Sequence, residues 1–501
     1  MNPHIPSPLK AGNAILVYLQ VRLNAVFSSR LNPMYNLGAL GYFFTWTLLI
    51  SGLYLFIFYD VSLGGAYNSV QRLTVNQKYY GGIIRSIHRY ASNGLMAVMA
   101  VHALQTLFSD RFRKYRWFAW VSGVFIIPVV WVEGVTGYLM VFDESAKMAL
   151  VQLAGWLDAF PLAIEPFSRN FIQGGAMNSL VFFVLTYLHI FFPIGLMIFL
   201  WLHCMRISRP LINAPKELVF WLVIILFAIS VLKPAVSGPP ANLSALAASP
   251  EINWFYLFPF PLADALSISP SLVLLLFSGC FFLLALAPWI IPGAPARAAV
   301  ATAGPASVAL AHCTGCEQCQ KACPFEAINI KTRSDGRPYE NEVEILPERC
   351  ASCGLCLPAC PFPAISVGSW TKEYFSRNIK AMFPNGGAGK IIIFACERAA
   401  DASILGEIEN AAVMTVPCIG ILGVKTIEES LRAGVEGVIA VSCVAEDCHY
   451  RFSRRKLDIT HIEIAGVKQL KIIEASISDP RAAREEVRKA QDGFTAMNKS
   501  K

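Results

Sequence analysis

Four histidines in long apolar segments place the strongest constraint on how this chain folds. His88 and His102 form one pair and His189 and His203 the other, and the members of each pair are 14 residues apart. Fourteen residues are close to four turns of an α-helix, so both members of a pair project from one helix face, about 21 Å apart. Ionisable groups inside a membrane are costly and usually functional. The spacing therefore predicts two helices that lie side by side with their histidines facing each other.

Facing imidazoles at two levels of a helix pair are suited to bind two hemes. The pattern predicts that His88 faces His189 around one iron and that His102 faces His203 around the other. The alternative interpretation is a set of isolated histidines whose ring nitrogens bond hydroxyl or carbonyl groups inside the membrane.

The composition indicates a membrane protein with a soluble part. The chain has 501 residues, of which 55% are hydrophobic and 15% charged, and its mean hydropathy is +0.49. Six segments before Arg297 carry few or no charges and are long enough, or almost long enough, to cross a bilayer; the fifth is the shortest. The six predicted spans are 37–59, 83–108, 117–142, 176–203, 218–233 and 267–291.

Basic residues in the connections predict the orientation of these spans. The connections after the second and fourth spans are basic, which places both in the cytoplasm, whereas the connection 143–169 is acidic on balance and is predicted to be external. Both termini are then cytoplasmic, in a bacterial or archaeal cytoplasmic membrane. The net charge of +8 is dispersed along the loops and does not indicate nucleic-acid binding. The basic residues are Arg111, Arg113, Lys114 and Arg116 in one connection and Arg206, Arg209 and Lys216 in the other.

Glycines repeat at the histidine spacing in the first and third predicted spans. Gly38 and Gly52 are 14 residues apart in one, and Gly123 and Gly137 are 14 apart in the other. A flat macrocycle pressed against a helix needs a missing side chain at each level, so the glycines leave room for two stacked hemes. Ordinary glycine in a transmembrane helix is the alternative interpretation.

Residues 15–265 resemble the cytochrome b of respiratory bc-type complexes and their photosynthetic relatives. The resemblance rests on the histidine pairs, on Arg85 three residues before His88, and on the Gly137-Tyr138 dipeptide. It implies an all-α transmembrane bundle over residues 1–292, possession of two b-type hemes, and a homodimer. It also implies that Arg85 neutralises a propionate of the outer heme, although an arginine that reaches the interface from a helix end is the alternative.

The same resemblance implies quinone chemistry at the two faces of the membrane. The family oxidises quinol near the outer heme with a Pro-Glu-Trp-Tyr motif, whereas this chain reads Pro-Glu-Ile-Asn-Trp-Phe-Tyr over residues 250–256. The acid is displaced from the aromatic pair, which argues against bifurcated quinol oxidation at that site. The candidate quinone-site residues are Arg206, Lys216, Glu251 and Tyr256.

The cysteines indicate iron–sulfur sites in a cytoplasmic part. Twelve of the 14 cysteines follow the last span, where a reducing compartment makes disulfides improbable and metal sites expected. After a Pro-Gly-Ala-rich linker, two Cys-x2-Cys-x2-Cys-x3-Cys-Pro runs start at Cys313 and Cys350. At this spacing the fourth cysteine of each run ligates the other cluster, as in bacterial two-cluster ferredoxins. Residues 307–370 are thus predicted to form an α+β ferredoxin domain with two 4Fe-4S clusters; two zinc sites are the alternative. One cluster is assigned to Cys313, Cys316, Cys319 and Cys360, and the other to Cys350, Cys353, Cys356 and Cys323.

A third domain is predicted over residues 389–475. Short runs rich in Ile and Val alternate with a helical stretch, which predicts a small α/β fold. Its four cysteines fall at strand ends or in turns, where the carboxyl edge of a parallel sheet would gather them into a cluster site. Free thiols or zinc are the competing interpretations. The four are Cys396, Cys418, Cys443 and Cys448.

Residues 389–470 resemble the delta subunit of methyl-viologen-reducing hydrogenase, a 2Fe-2S protein. The matching residues are the Val-Pro-Cys-Ile-Gly run around Cys418 and the Cys443-x4-Cys448-His-Tyr segment. The resemblance implies one 2Fe-2S cluster and a soluble partner: a hydrogenase, a formate dehydrogenase or a flavoprotein related to heterodisulfide reductase. Residues 476–501 are predicted to form a charged, solvated tail.

Taken together, these parts predict a membrane electron-transfer subunit that connects a cytoplasmic low-potential donor with the quinone pool. No P-loop or dinucleotide fingerprint is found, so nucleotide or flavin chemistry belongs to a partner. One alternative is a conduit without its own quinone site that passes electrons to an extracytoplasmic c-type cytochrome. Another is the cytochrome b of a bc-type complex with a Rieske protein.

Overall fold

The computed structural model of the chain describes residues 7–159, 179–205, 212–242, 255–292, 304–399, 402–444, 448–450, 469–475 and 480–499. These residues belong to two compact units. One unit consists of Asn36–Leu107 and Arg116–Ile291, and the other consists of Met1–Tyr35, Phe108–Tyr115 and Pro292–Lys501.

The long elements of the first unit are helices in the part that the structure describes. Long uncharged segments favour helices, because backbone groups in lipid must be satisfied within the segment. Its apolar core lies between the helices around residues such as Val130, Leu139 and Phe260. The helices are α2 (Leu37–Phe58), α3 (Ala66–Val75), α4 (Gly81–Phe108), α5 (Trp117–Val141), α6 (Glu144–Asp158), α7 (Ser179–Met205), α8 (Lys216–Leu232), α9 (Pro259–Ala265) and α10 (Pro270–Ile290), after α1 (Lys10–Leu31) of the other unit.

Each predicted span coincides with one of these helices, but not every helix has the character of a span. Among the described residues, four helical segments are long and apolar enough to cross a membrane: Leu37–Phe58, Lys114–Val141, Ser179–Met205 and Pro270–Ile290. The polar content of α4 is higher because it includes Arg85, Arg89 and its histidines, and α8 has 17 residues. That α4 and α8 also cross the membrane, which would give six spans, therefore stays a prediction.

The connection 143–169, which is predicted to be external, begins with a helix that the hydropathy pattern did not predict. The side chain of Asp143 caps α6 by accepting a hydrogen bond from the amide of Ala146 at 2.9 Å. An aspartate at the N-cap satisfies one of the amides that lack a partner in the first turn. A local capping signal therefore organises this connection.

The second unit contains the two cysteine-rich regions. In residues 304–382, two short antiparallel pairs, β1 with β4 and β2 with β3, surround the cysteine loops and two short helices. The elements are β1 (Ala306–Val308), α11 (Gln318–Ala322), β2 (Ile328–Thr332), β3 (Asn341–Ile345), α12 (Cys356–Ala359), β4 (Ile365–Val367) and α13 (Lys372–Met382).

A four-stranded, all-parallel sheet follows in the order β6-β5-β7-β8. Strands β5 and β7 are central and completely buried, which explains their continuous apolar runs. The elements are β5 (Ile391–Cys396), α14 (Ala402–Leu405), β6 (Ala411–Val416), α15 (Val424–Arg432), β7 (Gly437–Cys443), β8 (Leu470–Ala475) and α16 (Pro480–Lys499).

The charged C-terminal segment is not solvated on all sides. Helix α16 buries Ala483, Val487 and Phe494 against the sheet, in one apolar cluster with Ile439 and Ile473. These positions recur at intervals of four and seven residues and so share one face of the helix. The expectation of a solvated tail is therefore wrong for this face, because charged residues between the apolar positions mask the stripe in the sequence.

Substitution of Phe494 tests this packing. Its ring covers Gly437, where an added Cβ would lie 2.2 Å from the ring, and it is 5% exposed. We expect Phe494→Ala to cost about 3 to 5 kcal/mol and to reduce hydrogen-exchange protection of β7 by at least about a hundredfold. Met497→Ala is the control, since Met497 is 37% exposed. Equal protection in the two variants would contradict the packing of α16.

Candidate redox-cofactor sites

The histidines of α4 and α7 meet inside the helical unit. The ring centroids of His88 and His189 are 6.4 Å apart, with the ring planes inclined by 63°. A metal ion bonded to one nitrogen of each ring at about 2 Å separates two imidazole centroids by about 6 Å. The spacing therefore leaves room for one metal ion between these two rings.

Each of the four repeated glycines faces one of the four histidines. An added Cβ on Gly52 or Gly137 would lie 3.1 or 3.0 Å from Cε1 of His88 or His189, respectively. The corresponding distance is 3.7 Å from Gly38 to His102 and 3.0 Å from Gly123 to His203. Because the rings of His88 and His189 face each other, these two histidines form one level with Gly52 and Gly137. The other two contacts join Gly38 with His102 and Gly123 with His203.

Hydroxyl groups next to three of these glycines bond the histidine rings. Nδ1 of His88 lies 2.9 Å from the hydroxyl of Ser51. Nδ1 of His189 lies 3.0 Å from the hydroxyl of Thr136, and Nδ1 of His203 lies 3.1 Å from the hydroxyl of Ser122. Each hydroxyl also donates its proton to a backbone carbonyl: Thr47, Glu133 and Ala119, respectively.

A hydroxyl has one proton to donate, so in these contacts it accepts from the ring. Nδ1 therefore carries the hydrogen and Nε2 is left as the metal-binding nitrogen. Sequence reasoning missed these residues, although a signal exists: Ser51, Ser122 and Thr136 each directly precede a repeated glycine, and Leu37 takes that place before Gly38.

Glu133 is a carboxyl group within this site that the sequence analysis did not single out. Its Oε2 lies 3.3 Å from Nδ1 of His189. Its Oε1 is buried, and no hydrogen bond to it is found among the residues that the structure describes. The ring of His189 therefore contacts both a hydroxyl and a carboxyl group.

Arg85 lies one helical turn before His88 and is held by neighbouring segments. Its guanidinium donates hydrogen bonds to the hydroxyl of Thr74 and, at 2.8 Å, to that of Ser237. Arg89, on the next turn, lies over the ring of Tyr138 at 3.7 Å. Two cations are therefore positioned in the same half of α4 as His88.

Two of the four candidate quinone-site residues, Tyr256 and Lys216, lie in the described part of the chain. Tyr256 is completely buried and donates a hydrogen bond to the carbonyl of Ser92 at 2.9 Å. Its ring covers Gly134, where a Cβ would lie 2.0 Å away. Lys216 is exposed at the start of α8, whereas Arg206 and Glu251 lie outside the described residues.

Eight cysteines of the ferredoxin-like region line two cavities. The first thiol set consists of Cys313, Cys316, Cys319 and Cys360. The second thiol set consists of Cys323, Cys350, Cys353 and Cys356. The fourth cysteine of each sequence run thus lies with the first three of the other run, which is the crossed arrangement that the spacing predicts.

Five of these eight cysteines are buried, whereas Cys316 is exposed. Burial, together with the neighbouring cysteines, raises the pKa of Cys319 to about 11 and that of Cys353 to about 12. Backbone amides point at sulfur as well: Ala327 donates to Cys323 at 3.4 Å and Ala306 to Cys350 at 3.3 Å. Such amides stabilise thiolates bound to iron.

A third thiol set lies at the carboxyl edge of the parallel sheet. Cys396 ends β5, Cys443 ends β7, and Cys418 follows β6 by two residues; all three and Cys448 are buried. The sulfurs of Cys396 and Cys443 are 3.6 Å apart. Hydrogen bonding with Cys396 and Cys448, together with burial, raises the pKa of Cys443. Such a set of converging thiols can hold a cluster but is unsuited to disulfides in a reducing compartment.

Comparison with known proteins assigns the helical part of the chain. Residues 22–211 match the family described as cytochrome b/b6/petB. The menaquinol:cytochrome c reductase cytochrome b subunit of Geobacillus thermodenitrificans is 30% identical over 188 residues, which are 36% of this chain and 82% of that protein. Cytochrome b6 of Prochlorothrix hollandica is 29% identical over 167 residues, which are 33% and 74% of the two chains.

The chain belongs to the cytochrome b/b6 family. It extends this family's domain by two others, because residues 312–364 match the 4Fe-4S dicluster domain and residues 391–497 match the delta subunit of methyl-viologen-reducing hydrogenase. A solved structure described as hyperthermophilic respiratory Complex III aligns with a TM-score of 0.44 and 17% identity, over 52% of this chain and 77% of that one. The suspected fusion of three families is confirmed by the family matches.

This cytochrome b family member has residues that fit heme and iron–sulfur groups. Imidazoles whose Nδ1 is bonded to a hydroxyl, as in His88, His189 and His203, together with glycines on the facing helices and nearby arginines, suit a heme. Two crossed sets of four thiols suit two cubanes. Among the described residues, no group of three or more His, Cys, Asp or Glu side chains is arranged to hold a single metal ion. The first and second thiol sets line cavities instead.

Alkylation of the iron-free, reduced protein tests the thiol environments. Because burial raises the pKa of Cys353 to about 12, its reactive thiolate is scarce at pH 8. We expect iodoacetamide to label Cys353 more than about a hundredfold more slowly than Cys316, which is exposed. The rate at Cys353 should rise about tenfold for each pH unit. Peptide mass spectrometry measures both sites; equal rates would contradict the buried thiol site.

Proposed function

We propose that this chain is the membrane subunit of a quinone oxidoreductase. In this proposal it moves electrons between a cytoplasmic low-potential donor and the membrane quinone pool. Family membership makes it a membrane-embedded electron-transfer subunit with iron–sulfur domains; the donor, the quinone and the cofactor counts belong to the proposal. The observation that carries it is the presence of paired histidines and three converging thiol sets on one polypeptide.

The proposed cofactors are two b-type hemes, two 4Fe-4S clusters and one 2Fe-2S cluster. His88 with His189 and His102 with His203 would hold the hemes, the first and second thiol sets the cubanes, and the third set the 2Fe-2S cluster. These groups supply one-electron chemistry when bound. The protein fixes the tautomer of His88, His189 and His203 through Ser51, Thr136 and Ser122, respectively, and it buries most of the thiols.

Arg85 and Arg89 would supply positive charge near the heme between His88 and His189. Both lie on α4 within one turn of His88. A guanidinium binds a carboxylate in a bidentate manner, so either residue can bind a heme propionate. The hydroxyls of Thr74 and Ser237 hold Arg85 in position for this role.

The soluble partner is proposed to dock on the domain at residues 391–497. The matching family is by its description a hydrogenase subunit, which favours a hydrogenase, a formate dehydrogenase or a flavoprotein of the heterodisulfide reductase type as donor. With both termini in the cytoplasm of a six-span arrangement, this domain faces such a partner. The basic connection after α4 supports that orientation.

A conduit without its own quinone site is the second candidate. The burial of Tyr256 and its bond to Ser92 favour it, because a tyrosine packed in this way contributes to the core and does not offer its hydroxyl to a ligand. In this version the chain passes electrons to an extracytoplasmic c-type cytochrome. A Rieske protein would be the partner if the chain instead belonged to a bc-type complex.

A glycine substitution tests the heme assignment. An added side chain at Gly137 meets the ring of His189, so Gly137→Val should displace one heme and reduce heme b from about two to about one per chain. Gly195→Val in α7 is the matched control, because nothing lies within 4 Å of a Cβ there. Pyridine hemochrome analysis of the purified proteins measures the content. A full heme complement in Gly137→Val would refute the assignment.

A redox titration with a quinone decides between the two candidates. We expect the heme spectrum of the purified membrane protein to shift on addition of menaquinone, and a quinone-site inhibitor to abolish the shift. Hemes indifferent to quinone and inhibitor, but reoxidised by an added c-type cytochrome, would support the conduit. Co-purification of a Rieske centre would instead indicate a bc-type complex.

A further inference from the structure

One cysteine of the second thiol set is buried in the apolar cluster that contains the whole third set. This cysteine is Cys353, with Ala351 and Leu355 beside it. Cys356 of the second set is buried in another cluster, together with Cys313, Cys319 and Cys360 of the first set. The two sites are therefore joined through the loop that carries Cys353.

The loops that carry ligands of these two sets touch directly at Gly354. This glycine follows Cys353 and has a φ of +80°, and a Cβ there would lie 2.6 Å from the side chain of Ile421. Ile421 lies three residues after Cys418 in a tight turn. The amide of Ile421 donates a hydrogen bond to the carbonyl of Cys418 at 3.0 Å. Only glycine combines this backbone conformation with so close an approach.

A second contact joins the same two sets through aromatic rings. Phe325 follows Cys323 by two residues, and Tyr450 follows Cys448 by two residues. The rings meet edge to face with centroids 6.5 Å apart, within the range of a favourable aromatic pair. Two independent ligand loops of the second set thus pack on two ligand loops of the third.

We propose that the centre held by Cys323, Cys350, Cys353 and Cys356 is the direct electron partner of the centre held by Cys396, Cys418, Cys443 and Cys448. For electrons that flow from the cytoplasmic donor toward the quinone pool, the 2Fe-2S centre would give up one electron and the cubane would accept it. The 2Fe-2S centre is thereby oxidised and the cubane reduced, and no proton or other reactant is needed. The cubane of the first thiol set takes no part in this step. The inference rests on the cofactors of the proposed function.

The internal repeat of the ferredoxin-like region provides a matched pair of variants. Cys350 and Cys313 are the first cysteines of the two runs, and neither belongs to the cluster around the third set. Cys350→Ala removes the cubane of the second set and Cys313→Ala that of the first. Both are made in the full-length protein, and iron and sulfide analysis checks that one cubane is lost in each.

The readout is the EPR signal of the reduced 2Fe-2S centre. A reduced cubane nearby broadens this signal and speeds its relaxation by spin–spin interaction. We expect Cys350→Ala to abolish the broadening and Cys313→Ala to leave it in place. The reverse pattern would overturn the inference. A wild-type protein without any third cluster signal would overturn the cofactor assignment and the inference together, whereas a third signal insensitive to either variant would overturn the inference alone.

A second pair of variants leaves all cysteines intact and answers the question if a cysteine variant does not fold. Gly354→Ala introduces a Cβ against Ile421, whereas Gly336→Ala imposes a similar backbone strain at φ +73° with nothing within 4 Å. We expect Gly354→Ala to weaken the spin–spin broadening and Gly336→Ala to leave it unchanged. The double variant Gly354→Ala/Ile421→Ala should recover part of the broadening. Equal spectra of Gly354→Ala and Gly336→Ala would contradict the contact as the path between the centres.

Discussion

The packing of each histidine against a glycine of a neighbouring helix is the contact on which the membrane part depends. The histidines lie on α4 and α7, and the glycines that face them lie on α2 and α5. A side chain at the glycine would push the ring away, and without the adjacent hydroxyl the ring nitrogens would lose their partner. At the His88–His189 pair, the two rings face each other from α4 and α7. Arg85 and Arg89 lie within one turn of His88 on α4.

The second unit brings sulfur ligands together, as the helical unit brings nitrogen ligands together. Its cysteines are mostly buried, and clustered thiols in an apolar core gain little from one another unless a metal group binds them. The central strands β5 and β7 direct the third set to one sheet edge, and the crossed loops gather the first two sets. Metal binding is therefore expected to add to the stability of the folded unit.

The features predictable from sequence are those that a fixed period expresses. The spacing of His88 and His102 predicts a shared helix face, and the cysteine runs predict the crossed sets. The hydroxyl partners of the histidines were missed because they are distant in the sequence. The hydrogen bond between Thr136 and His189, for example, joins positions 53 residues apart, and only the fold decides which hydroxyl faces which ring. Tyr256 resembled part of a quinone site by its place in a motif. Its burial depends on the space that Gly134 leaves, which is a tertiary property.

The central claim is that the iron–sulfur centres and the hemes form one electron path, and reoxidation of the fully reduced protein tests it most directly. The protein is reduced with dithionite, freed of excess reductant and mixed with a menaquinone analogue in a stopped-flow instrument. Heme absorbance and freeze-quenched EPR signals of the clusters are followed together. One path predicts that the clusters lose their electrons through the hemes, so that cluster signals disappear with or directly after heme reoxidation. Hemes that reoxidise while the clusters stay reduced would contradict the account.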